Sequence, residues 1–179
     1  MRTYLLATLA VFGVEMATAA ARGAEIKVEP DKENVVASRL EGRWQVDPAL
    51  TKRLTGRERA IPAEGAAEGT LSFHSNPAVA AKIPAKYGEF LAKKRVYMAG
   101  TLRISGGKVQ EFPFLLIENR GNPHVVIFRE RDGNPLGDAE SFNVMLAVAK
   151  EKVNDLLFTG GDFNNEPFSA YTRVPVEKK

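Results

Sequence analysis

Residues 142–149 read FNVMLAVA, and the reading of that octapeptide decides the fold. Met, Leu and Ala form helices well, and with the neighbouring Lys and Glu they make a helix over residues 139–152 conceivable. The spacing favours a strand. Phe142, Val144, Leu146 and Val148 fall on one side of a period-two pattern, and Asn143, Met145, Ala147 and Ala149 fall on the other. Such alternation belongs to a strand with one face against a core. Turn residues flank it, with Asp132-Gly133-Asn134-Pro135 before and Val153-Asn154-Asp155 after.

The same period recurs on both sides. Leu40, Gly42, Trp44 and Val46 alternate with charged or polar residues up to Pro48. Gly69–His74 is a short strand with Leu71 and Phe73 on one face. Val96, Met98, Leu102 and Ile104 follow, then a Ser105-Gly106-Gly107-Lys108 turn. Residues 109–117 (VQEFPFLLI) are apolar on both faces toward their end, and Pro113 implies an edge position or a bulge. Further strands are expected at His124–Glu130, Leu156–Thr159 and Phe168–Val174, with turns at Arg120–Pro123 and Asp132–Pro135. Two short helices are predicted. One opens at Pro48 and pairs Leu50 with Leu54. The other covers Pro84–Lys94, where Ile83, Tyr87, Phe90 and Leu91 share a face. Eight closely spaced strands predict a mainly β chain, an up-and-down antiparallel barrel over residues 40–175.

The chain begins with a different signal. Arg2 precedes an apolar run over residues 4–14, and Ala17-Thr18-Ala19 and Ala19-Ala20-Ala21 fit a small-residue cleavage pattern. Residues 1–21 therefore read as a signal peptide of an exported protein, periplasmic or secreted. The run is too short for a permanent membrane helix, and no second segment approaches that length. Residues 22–39 are polar and charged and read as a flexible tail of the mature chain. Cysteine is absent, so neither a disulfide nor lipid attachment through cysteine is available, and the mature protein is expected to be soluble. With 25 basic and 22 acidic residues the net charge is +3, too even for a nucleic-acid footprint.

Gly42-Arg43-Trp44 on the first strand, with Arg173 on the last, resembles the lipocalin-like (calycin) barrels, in particular their small exported bacterial members. That resemblance implies that Trp44 plugs one end of the barrel and that Arg173 packs across its ring. Such a cation–π contact is worth up to about 2 kcal/mol when desolvated. It also implies an interior able to hold one small apolar or amphipathic ligand.

No catalytic centre is legible. The chain has no Cys and no Gly-x-Ser-x-Gly elbow, and its two histidines, His74 and His124, have no metal-ligand spacing. Both read as surface residues. No cofactor or metal is expected, and the protein reads as a non-enzyme. The candidate ligand-contacting residues are the large apolar groups assigned to the inner face: Trp44, Phe73, Met98, Leu102, Phe114, Phe128, Phe142 and Leu146. A filled core requires the same alternation as a cavity, so both remain open. The second reading is a solid-cored envelope protein that meets a partner through Ile83, Tyr87 and Phe90.

Overall fold

In the computed structural model the period-two segments wrap into one closed sheet. The structure describes residues 26–55, 69–106, 109–160 and 169–175. The strands are β1 (Gly42–Val46), β2 (Thr70–Ser75), β3 (Val96–Ser105), β4 (Gln110–Asn119), β5 (Asn122–Arg131), β6 (Asn134–Ala147), β7 (Leu156–Gly160) and β8 (Ser169–Arg173). Each pairs antiparallel with the next, and β8 returns to β1 from Trp44↔Arg173 to Val46↔Tyr171. The fold is a closed, up-and-down, eight-stranded barrel. Closure gives every one of these strands a partner on both sides, so none is an edge strand.

The octapeptide at 142–149 is strand as far as Ala147, pairing Phe142 with Val125 and Leu146 with Leu157. β6 starts earlier than its alternation suggested, because the turns are tighter than expected. Arg120 and Gly121 have φ of 53° and 80°, and Asp132 and Gly133 have 53° and 75°. Two successive left-handed residues make the two-residue turn that matches strand twist. The following Asn-Pro pairs open the next strands, where a proline is tolerated. Pro113 lies in register with Thr101 of β3, while pairing to β5 begins only at Phe114. The proline therefore sits at a locally open edge, and the β3–β4 irregularity falls instead between Val96 and Met98.

Two expectations are corrected. The first concerns residues 84–94, which form no continuous helix. A 3-10 turn (Pro77–Lys82) and another (Ala85–Tyr87) lead into a single turn, α3 (Gly88–Leu91). Pro77, Pro84 and Gly88 break the segment into short turns. It packs on the outside of the wall. Val79, Ala80 and Leu91 meet Ala99, Leu115, Ile117, Val126 and Phe128 there, and the Tyr87 and Phe128 rings stand edge to face at 5.2 Å. Tyr87 is thus packed, Ile83 is half-buried, and of the three proposed contact residues Phe90 alone is exposed.

The second concerns the tail. The signal segment, residues 1–21, lies outside the described residues. Of the expected tail, residues 26–39 lie against the barrel: Val28 bridges Val96, and α1 (Val35–Arg39) seats Val36 in the core. The Asn34 side chain accepts the Ala37 N–H at 3.0 Å, which caps this short helix. The other predicted helix is present as α2 (Pro48–Thr55).

The barrel interior holds Leu40, Trp44, Phe73, Leu102, Phe114, Leu116, Val125 and Leu157, each 0% exposed. Phe73 and Phe114 meet edge to face at 5.4 Å. Phe114→Ala should lower unfolding free energy by about 3–5 kcal/mol, read from the midpoint and slope of urea denaturation.

Candidate functional site

The end of the barrel where the first and last strands meet carries the densest polar arrangement. Gly42 opens β1 with φ +123°, a conformation that disfavours side chains. A Cβ there would come within 2.7 Å of the Arg173 Nη1 atom. The missing side chain leaves the guanidinium room to lie on Trp44, 4.1 Å from the ring centroid. The indole is fully buried, and its Nε1–H donates to the Leu40 carbonyl at 2.9 Å. Arg173 donates through Nη1 to the Glu41 carbonyl at 2.8 Å and through Nη2 to the Arg39 carbonyl. One side chain of the last strand therefore ties down the chain entering the first.

Beneath this pair sits Asp155, 0% exposed. Its Oδ2 lies 3.3 Å from Arg39 Nε and 3.5 Å from Arg173 Nε, and its Oδ1 accepts the Ala149 N–H at 3.1 Å. Arg39 adds a hydrogen bond to the Ala149 carbonyl at 3.1 Å. Burial pulls the Arg173 guanidinium below its usual range; Asp155 opposes this and Arg39 reinforces it. Arginine stays protonated under such shifts, so two cations share one carboxylate. Sequence reasoning missed Asp155, taking it as a turn residue. No local pattern links positions 39, 155 and 173; only barrel closure brings them together.

A second polar junction joins the N-terminal segment to the wall. Tyr97 donates its hydroxyl to Glu118, and the Arg95 guanidinium lies 5.3 Å from its ring centroid. Burial first, then the Glu118 hydrogen bond and charge, push the Tyr97 hydroxyl above its ordinary range, opposed by Asn34 and Arg95. His74 is exposed on β2. His124 is half-buried on β5, and burial together with nearby Lys94 holds it below the usual histidine range.

Trp44, Phe73, Met98, Leu102, Phe114, Phe142 and Leu146 share the interior cluster. Phe128 does not: it faces outward beneath the 77–94 segment, with Val126. β5 is apolar on both faces at Val125-Val126-Ile127-Phe128, so alternation there carries no inside–outside information. Trp44, Phe73, Leu102 and Phe114 are 0% exposed, so no water-sized space reaches them. Phe142 and Leu146 are partly buried, like Ile104, Phe112 and Tyr171 around them.

Comparisons with family models, curated proteins and solved structures give no match to this chain.

Two substitutions probe the barrel end. Asp155→Ala leaves two largely covered guanidinium groups without their carboxylate and should cost about 3 kcal/mol in urea denaturation. Gly42→Ala should displace Arg173 and move the emission of Trp44, the single tryptophan, to longer wavelength in the folded protein.

Proposed function

We propose that the protein is a non-catalytic, exported barrel of the lipocalin-like type, with a solid interior, that acts through its outer surface as an interaction protein of the cell envelope. The observation that carries this reading is the interior. Its central aromatic and aliphatic side chains fill the barrel at 0% exposure and leave no room at the Trp44 end for a ligand. The Trp44–Arg173 contact is the one that lipocalin-like barrels use, which supports the type. Export rests on the signal-like residues 1–21, and a periplasmic or secreted location follows from them. The non-catalytic reading rests on the missing nucleophile and metal-ligand motifs. Among the described residues no helix is long and apolar enough to cross a membrane.

A second reading places a small apolar or amphipathic ligand at the other end of the interior. Phe112, Ile104, Phe142 and Tyr171 are only partly buried, and the Arg129 guanidinium lies 5.1 Å from the Phe112 ring centroid. That arrangement offers an apolar surface beside a cation.

Ile104→Phe separates the two, because Ile104 belongs to the partly buried set that a ligand would touch. A filled interior resists the added volume and loses about 1–3 kcal/mol of stability, whereas a cavity accepts it without loss. Titration with a fluorescent fatty-acid analogue, followed through Trp44, should give no saturable quenching. Saturable quenching abolished by Ile104→Phe would sink the solid-core reading and install the ligand.

A further inference from the structure

Residues 26–31 lie on the outer wall as a strap, and the chain then bends over 32–34 into α1. The Glu29 N–H donates to the Val96 carbonyl at 2.7 Å, and Val28 forms a parallel bridge with Val96. Arg95 faces two acids of the strap, Glu29 at 3.9 Å and Asp31 at 3.5 Å. Alternate residues of an extended chain point the same way, so one guanidinium reaches both. Ile26 and Val28 pack against the outer apolar cluster, and the polar part of the attachment is slight. Both ion pairs use a half-exposed arginine, and exposed pairs of this kind contribute little. Pro30 has no N–H with which to continue the pairing.

Among the described residues, the strap leaves open space on both of its sides. A cleft of about 780 Å³ runs beside it against Ala80, Ile83 and Pro84. Another of about 430 Å³ lies against Leu91 and Val96 and is bordered by the basic run Lys93-Lys94-Arg95. Ile26, Lys27, Glu29 and Gly88 line both, so the clefts flank the strap as one trough. Its walls are the strap itself, the 77–94 segment and Val96 at the start of β3.

We propose that this trough is a recognition site for an extended segment of another protein, apolar and acidic in alternation, with the strap as its intramolecular occupant. The proposal rests on the surface-interaction reading and names the surface and the partner chemistry. The Val96 carbonyl accepts from any extended backbone, so the pairing itself is indifferent to sequence. Arg95 supplies the selection, for carboxylates two residues apart. The unfilled clefts reward apolar side chains larger than Ile26 and Val28. A tethered strap competes at high effective concentration, so the site opens only when the strap is weakened or outmatched.

The test is fluorescence anisotropy with a dye-labelled peptide of residues 24–32 (AEIKVEPDK). Glu29→Lys in the protein sets the strap against Arg95 and frees the trough; this variant should bind the peptide saturably and about tenfold more tightly than the unaltered protein. Arg95→Glu should reject that peptide and bind one carrying lysine in place of Glu29 and Asp31. Unchanged Trp44 emission verifies the fold of each variant. Failure of the Glu29→Lys protein to bind, or equal binding of both peptides by Arg95→Glu, overturns the proposal. Either result leaves the solid-core reading standing, because Ile104→Phe tests that one separately.

Discussion

A barrel made from one meandering chain must join its last strand to its first, and that join spans nearly the whole length of the sequence. Here the join is an indole pressed against a guanidinium. Trp44 and Arg173 are register partners across the β1–β8 pair, and their side chains stack inside the barrel end. The guanidinium then reaches back to the carbonyls of Arg39 and Glu41, so sheet closure and the seating of the N-terminal helix are one event. Asp155, itself fully buried, adds the charge that makes two partly covered arginines tolerable in one place. Gly42 matters for the same reason, because any side chain there would occupy the space the guanidinium needs.

The wall is apolar on two sides where it carries extra structure. β3, β4 and β5 turn Met98, Leu116 and Val125 inward and Ala99, Leu115 and Val126 outward. The outward set would be a large exposed apolar surface if left bare. The 77–94 segment and the N-terminal strap cover it. The same device explains why the 77–94 segment guards no barrel mouth: its apolar residues are already committed to the wall. The strap is the weaker of the two covers, and the trough around it is the part of the surface with unfilled apolar space.

Much of this was legible residue by residue. FNVMLAVA was recognisable as strand because period two survives in it despite its helix-forming composition. Phe128 was misplaced because β5 runs apolar on both faces, which erases the period. The Pro84–Lys94 helix was over-read, since i, i+3 and i, i+4 spacing also arises by chance in short turns broken by proline and glycine. The N-terminal segment was under-read. Its cap is a single Asn and its buried residues are few, so no periodicity announces that it docks.

Local pattern was enough to determine the mainly β class, the strand count and the up-and-down order, because each strand carries its own alternation and each tight turn its own residues. The pairing of Trp44 with Arg173 came through as well, but by resemblance. Only the tertiary structure decided that no water-sized space reaches Trp44, Phe73, Leu102 and Phe114, that Phe128 faces out and that Asp155 anchors two arginines. Packing density and the meeting of residues more than a hundred positions apart depend on how the sheet curls and on its register, and a chain's local spacing encodes neither.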